Sequence, residues 1–124
     1  MSNQARFDIR VVDDMPIVEA WGELDMTNVS GFESLFAEAA DHNRGVVTVS
    51  LAHVKYFDSR TIHALGMLAA RLAKNRQKLA VVLPAVASAR VIFEMSGLKA
   101  KLSVFDTLDQ ALEYARANRV EPRT

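Results

Sequence analysis

Four consecutive polar residues, Asp58, Ser59, Arg60 and Thr61, lie where the hydrophobic pattern of the chain changes. The run 46–51 before them is β-branched and apolar enough for a buried strand, and the apolar residues after Asp58 recur at helical spacing. A turn from strand to helix leaves the first backbone N–H groups of the helix unpaired at the end of a sheet, where polar ligands and partners reach them. Asp58 or Ser59 is expected to cap this helix, because the side-chain oxygens of both accept hydrogen bonds from such groups.

Catalysis at this turn would depend on the carboxylates of Asp25 and Asp58 and on the hydroxyl of Ser59. Two carboxylates at neighbouring strand ends are usually helix caps, and so is a lone serine before a helix. An enzyme is therefore the least favoured class of function. It would require all three side chains within hydrogen-bond reach in one pocket.

The sequence predicts neither a metal centre nor a cofactor site. The histidines, His42, His53 and His63, fall in different predicted elements without a carboxylate at ligand spacing. Glycine-rich phosphate loops and the GxSxG serine motif are absent. The chain has no cysteine, which excludes disulfides and thiolate zinc sites.

Length and charge indicate an ordinary globular protein. The 124 residues fit one domain, 1–124, with a core over about 6–117 and a frayed polar tail over 118–124. Lys plus Arg equals Asp plus Glu at 15 each, so no overall field favours nucleic acid, and the basic set Arg71, Lys74, Arg76 and Lys78 is expected to be a solvated face. No long apolar run favours membrane insertion, so a cytoplasmic protein is expected.

Alternation and apolar runs predict five strands, at 7–11, 17–21, 46–51, 79–83 and 102–105, with a turn at 13–16 and a loop at 53–57. Four helices are predicted by apolar positions at helical spacing. The first, capped by Thr27 or Asn28, carries Phe32, Leu35, Phe36, Ala39 and Ala40, and the second carries Ile62, Leu65, Ala69, Leu72 and Ala73. The third carries Val86, Ala89 and Phe93 before a left-handed Gly97, and the last starts at an Asp106 cap and carries Leu108, Ala111, Leu112 and Ala115.

The predicted order is β-β-α-β-α-β-α-β-α. Strands that alternate with helices form a mostly parallel sheet, so we predict an α/β fold with a mixed, mostly parallel sheet and an antiparallel edge strand from the opening hairpin. The predicted core comprises Trp21, Val47, Val49, Leu51, Leu65, Val81, Leu83 and Phe93.

Three separated motifs of the chain resemble the STAS domain, the fold of bacterial anti-sigma factor antagonists. These motifs are Trp-Gly-Glu-Leu-Asp at 21–25, Phe-Asp-Ser at 57–59 and Phe-Glu-Met-Ser-Gly-Leu at 93–98. The predicted order of elements is also that of the family, and the resemblance extends over about 7–117.

The resemblance implies a regulatory corner. In the family the corresponding turn reads Asp-Ser-Ser/Thr-Gly, and a partner kinase phosphorylates its third residue. Here Asp58 and Ser59 match, whereas Arg60 stands at the phosphoacceptor position and Thr61 replaces the glycine. Asp25 matches the aspartate that lies near this corner. Arginine cannot accept the phosphate, so phosphorylation is expected to be absent at position 60, with Ser59 and Thr61 as candidate substitute acceptors.

Two functions stay open on this resemblance. The first is a protein-binding module that regulates transcription by partner switching, in which Asp25 and residues 58–61 contact an anti-sigma factor or a related kinase-like protein. The second is a STAS subunit of a membrane transport or lipid-transport complex. The oligomeric state is also open, a homodimer included.

Overall fold

The computed structural model describes residues 5–41, 45–100 and 102–119. Strands and helices follow each other in the predicted order, with one added 3₁₀ turn before the last strand. The elements are β1 (Ala5–Val12), β2 (Met15–Leu24), α1 (Val29–Asp41), β3 (Val46–Phe57), α2 (Ser59–Lys74), β4 (Lys78–Val82), α3 (Ala87–Met95), the 3₁₀ turn (Leu98–Ala100), β5 (Ser103–Phe105) and α4 (Leu108–Ala117).

The five strands form one mixed sheet in the order β1-β2-β3-β4-β5. β1 pairs antiparallel with β2 and lies at the edge, as predicted, and the other pairs are parallel. A two-residue turn joins β1 to β2, and both of its residues, Asp13 and Asp14, have positive φ angles of 50° and 66°. Two left-handed residues match the twist of a tight hairpin, and aspartate tolerates that conformation better than most residues.

Helices cover both faces of the sheet. α1, α2 and α3 pack on the face that carries the cross-strand row of Val18, Val49 and Val81. α4 packs on the other face, where buried apolar side chains of β2, β3 and β4 meet it. Both faces of β3 and β4 are therefore covered, which explains the continuous apolar runs in their sequences. In the described parts of the chain, no helix is long and apolar enough to cross a membrane.

β3 is twice as long as predicted, and the prediction of a loop over 53–57 was wrong. β3 pairs with β2 up to Phe57, but its register shifts twice. Between Ser50 and His53, and again between Val54 and Tyr56, β3 uses one residue more than β2. Such bulges break the period of two, which is why the alternation fails in the sequence although the strand continues.

Trp21 was predicted to be in the core, but it is only half-buried. It lies on the sheet face of α4 in a cross-strand row with Arg6 and His53. α4 packs on β3, β4 and β5 and leaves this part of β2 uncovered. The indole stacks on the His53 ring, with centroids 5.9 Å apart, and the Arg6 guanidinium lies 5.0 Å from the indole centroid. The other seven predicted core residues are buried.

Two helix faces differ from their predictions. In α2 the buried residues are Thr61, Ala64, Leu65, Leu68 and Leu72, whereas Ala73, which was predicted to lie on the apolar face, is exposed. The predicted face of α3 holds at Ala89 and Phe93, whereas Val86 precedes the helix and is exposed.

One predicted cap was also wrong. α4 is capped by Thr107, whose hydroxyl oxygen accepts from the Gln110 N–H at 3.2 Å. Asp106, the predicted cap, instead binds Arg90 of α3. Gly97 has the predicted left-handed conformation, with a φ of 79°.

The polar end of the chain is partly tied to the hairpin. The Arg116 guanidinium donates to the Asp13 carboxylate at 2.8 Å, and Arg119 donates to the Asp13 carbonyl oxygen at 2.7 Å. Residues 120–124 of the predicted frayed tail, and His42, lie outside the described residues.

Candidate functional site

Asp58 connects the end of β3 to the first turn of α2. Its Oδ1 accepts from the Thr61 N–H at 3.0 Å and from the Thr61 hydroxyl at 3.2 Å. Its backbone is extended, with φ −94° and ψ 180°, as an N-cap requires. The predicted Asp58 cap is confirmed, and Ser59 is the first residue of the helix.

Asp58 also holds the loop that follows β2. Its Oδ2 accepts from the Met26 N–H at 3.1 Å, and its backbone N–H donates to the Leu24 carbonyl oxygen at 3.1 Å. One side chain therefore fixes two segments that are 32 residues apart in sequence. The sequence predicted the cap but gave no indication of the bond to Met26.

Asp25 organises that loop from inside. It is only 7% exposed, and its Oδ1 accepts from both the N–H, at 2.9 Å, and the hydroxyl of Thr27. The Asn28 side chain accepts from the Asp25 N–H at 3.1 Å and donates to the Glu23 carbonyl oxygen at 2.9 Å. Thr27 and Asn28 were the two residues predicted to cap α1. The side chain of Asn28 forms its hydrogen bonds with Asp25 and Glu23, which precede the helix. The structure brings Asp25 and Asp58 to the same corner of the fold.

The four residues at the turn divide into two pairs by exposure. Ser59 and Arg60 are exposed, and Arg60 forms no ion pair with any described residue. Thr61 is fully buried, and its hydroxyl donates to Asp58. Asp58 and Thr61 therefore build the corner, whereas Ser59 and Arg60 form its surface.

Met26 is a surface residue of this corner that the sequence analysis missed. Its side chain is 63% exposed and follows directly on Asp25. An unbranched apolar side chain on an exposed loop adapts to irregular partner surfaces. A methionine between polar neighbours, with Asp25 before it and Thr27 and Asn28 after it, was the signal in the sequence.

The carboxylates of Asp25 and Asp58 both accept hydrogen bonds from backbone N–H groups and hydroxyls that build the corner, and these bonds are structural interactions. Among the described residues, no group of three His, Asp or Glu side chains is placed to hold a metal ion. We define the corner surface as Met26, Ser59 and Arg60, which are supported from inside by Asp25, Asp58 and Thr61.

The family model of the STAS domain matches residues 6–111 of the chain. No curated protein matches the sequence.

Solved structures with the same fold include an anti-sigma factor antagonist from Mycobacterium paratuberculosis, with 21% identity, a TM-score of 0.82 and coverage of 91% of this chain and 95% of that one. The anti-sigma factor antagonist SpoIIAA of Bacillus in its unphosphorylated form has 16% identity, a TM-score of 0.68 and coverage of 90% and 98%. A murine anion transporter of solute carrier family 26 has 17% identity and a TM-score of 0.71, and the match covers 94% of this chain but 23% of the transporter. These likenesses show the fold, and the family model shows that the chain belongs to the STAS domain family.

Proposed function

We propose that this chain is a non-enzymatic binding module of the anti-sigma factor antagonist type. It regulates transcription in the cytoplasm by reversible association with an anti-sigma factor or a related kinase-like protein. We also propose that this single domain extends over 1–124. The observation that supports this function best is the rigid corner, because Asp58 holds the loop of β2 and the start of α2 together while Ser59 and Arg60 face solvent. The names of two similar structures, both anti-sigma factor antagonists, support the same class.

Arg60 sets this module apart from a phosphorylated switch. The family resemblance places the phosphoacceptor at position 60, and one similar structure is SpoIIAA in its phosphorylated form. A phosphate there would add about two negative charges at a helix N-terminus, where the helix dipole favours anions. Arg60 brings one positive charge instead, which the same dipole disfavours by about 0.3–1 kcal/mol. The first turn of α2 itself contains no acidic residue, and its N-cap is the Asp58 carboxylate.

The two candidate substitute acceptors differ in access. The Thr61 hydroxyl is buried and bonded to Asp58, so a kinase would have to open the first turn of α2 to reach it. Ser59 is exposed and needs no such opening. Ser59 nevertheless projects about 100° away from the direction of residue 60, because successive helical residues turn by that angle. We therefore propose association that does not respond to phosphorylation at this corner.

Intact-mass measurement after incubation with ATP and an anti-sigma kinase tests the regulation. The unaltered protein should gain no phosphate, and an Arg60→Ser variant should gain one. A phosphate on the unaltered protein that Ser59→Ala or Thr61→Ala removes would refute the proposed insensitivity.

Titration calorimetry with an anti-sigma factor or a related kinase-like protein tests the proposed binding function. Arg60→Asp should weaken association by about tenfold or more, because a charge is reversed at the centre of the corner surface. Arg119→Asp, an equal charge change beside the β1–β2 hairpin, should leave association unchanged. Equal affinities of the two variants would contradict the assignment of the surface.

A second candidate function is supported by the likeness to the anion transporter. There the match covers nearly all of this chain and a minor part of the other, so the fold occurs inside a transport protein. In this case the chain would be the STAS subunit of a transport or lipid-transport complex. Recovery of the tagged chain with a membrane permease, and not with an anti-sigma factor, would favour it.

A further inference from the structure

An open groove of about 580 Å³ runs along α2 on the side of the 3₁₀ turn. It begins directly after the corner, at Ile62. Its lining is mostly apolar and consists of Ile62, His63, Gly66, Met67, Ala69, Ala70, Ala73 and Leu98. The α2 residues that line the groove differ from the fully buried residues of that helix, although Ile62 and Ala69 also pack against the edge of the core.

The floor of the groove is low because its residues are small. Gly66, Ala69, Ala70 and Ala73 follow each other at spacings of three and four, which places them on one face of α2. Leu98 forms the opposite wall, and its Cδ2 would lie 3.5 Å from a Cβ built on Gly66. Distances between packed helix axes range over about 8–10 Å with the side chains at the contact, so small residues permit close packing of another helix.

The rim of the groove is positively charged. α2 contains no Asp or Glu, and it exposes Arg60, Arg71 and Lys74. Exposed Lys99 follows Leu98 on the opposite wall. None of these four cations forms an ion pair with a described residue. α1, which carries acidic side chains, packs on β1, β2 and α2, and it contributes no lining residue to the groove.

We infer that the groove receives an acidic amphipathic helix of the protein partner. This inference rests on the proposed binding function and extends the corner surface along α2. The 16 residues of α2 span about 24 Å, enough for a partner helix of about four turns. Apolar side chains of that helix fill the groove, its acidic side chains meet the cations, and Met67, 59% exposed, adapts to the contact.

The shape of the groove favours a helix over an anionic membrane surface. Binding at a bilayer requires large apolar side chains that project into the headgroup region. Here the apolar residues between the cations are small and recessed, and Met67 alone among the lining residues is a large exposed hydrophobic side chain. A recessed apolar strip matches a ridge on a partner, whereas a membrane offers no ridge.

The test uses the full chain and a fluorescein-labelled peptide of about 18 residues, helical in design, with leucines at helical spacing and glutamates elsewhere. Fluorescence anisotropy should show saturable binding of this peptide and at least about tenfold weaker binding of a peptide with lysine in place of glutamate. Ala70→Leu and Ala73→Leu fill the groove at exposed positions and should weaken binding by about tenfold. Ala117→Leu, at an exposed position of α4 behind the sheet, is the matched control and should have no effect.

Lys74→Glu is a third groove variant, and its effect does not depend on packing. It should weaken binding of the acidic peptide and strengthen binding of the basic peptide. Equal binding of both peptides, or no effect of the three groove variants, would overturn the inference. So would capture of the chain by phosphatidylglycerol vesicles without binding of the acidic peptide. If the natural partner binds and responds to Arg60→Asp but not to the groove variants, the groove inference fails while the proposed function stands. If no anti-sigma partner binds but the acidic peptide does, the proposed function fails alone.

Discussion

Replacement of Asp58 by alanine tests the construction of the corner. The change removes the N-cap of α2, the acceptor of the Thr61 hydroxyl and the bond to the Met26 N–H. These three losses differ in cost, because the groups left behind differ in their access to water. Thr61 is fully buried, whereas Met26 is largely exposed.

The expected loss of unfolding free energy is about 2–4 kcal/mol. Removal of an aspartate N-cap costs about 1 kcal/mol, within a range of about 0.5–2. A buried hydroxyl without an acceptor costs a further ~1–3 kcal/mol, with the low end reached if Thr61 turns to a carbonyl of the preceding turn. The Met26 N–H is exposed and can bind water, so it adds about 0.5 kcal/mol at most.

The assay is urea unfolding at 25 °C followed by far-UV circular dichroism, in a double-mutant cycle with Thr61→Val. In the Thr61→Val background there is no hydroxyl to leave unpaired, so Asp58→Ala should cost only about 1–2 kcal/mol. Ser59→Ala, at the exposed first helical position, is the control and should change stability by less than about 0.5 kcal/mol. A coupling below about 0.5 kcal/mol would refute the role assigned to the buried hydroxyl.

Three further predictions concern the core and the surface. Leu65→Ala removes a fully buried side chain and should cost about 2–5 kcal/mol in urea unfolding; unchanged stability would mean that the buried face of α2 is misassigned. Thr48→Val should stabilise the protein by about 1 kcal/mol in the same assay, because the fully buried Thr48 hydroxyl has no hydrogen-bond partner in the described structure. A loss of stability would mean that this hydroxyl has a hydrogen-bond partner. The hydrogen bond from Arg90 lowers the pKa of the Asp106 carboxyl, so the contribution of this exposed pair is complete above the ordinary aspartate pKa of about 3.9 and is lost as the pH falls through the lowered value. Thermal unfolding of Asp106→Asn and the unaltered protein should therefore differ slightly at pH 7 and converge in acid, and a constant difference would contradict the pairing.

The sequence predicted those features that depend on local chemistry. Asp58 was identifiable as a cap because its residue type and its place between two hydrophobic periods are both local signals. Gly97 was identifiable for the same reason, as a glycine directly after an apolar stripe. The element order followed from alternating periods, and it is confirmed without a change in sequence order.

Features that depend on neighbours distant in sequence were not predictable. Trp21 is large and apolar, yet its exposure is decided by α4, which begins 87 residues later and packs mainly on β3 to β5. Asp106 has a good capping side chain, but Arg90 engages it and Thr107 takes the cap. The two bulges in β3 depend on its register with β2, which no local pattern in β3 reveals.

The different roles of the four turn residues explain how residue 60 can change without loss of the fold. The first turn of α2 depends on Asp58 and Thr61, which bond to each other, whereas the side chains of Ser59 and Arg60 point to solvent. Residue 60 is therefore free to vary at little structural cost, but every change there alters the charge at the centre of the corner surface. Arg60 also continues the row of cations along α2, so the corner and the groove present the same sign of charge to a partner. A partner selected for this surface would be acidic, and a phosphate at position 60 would repel it.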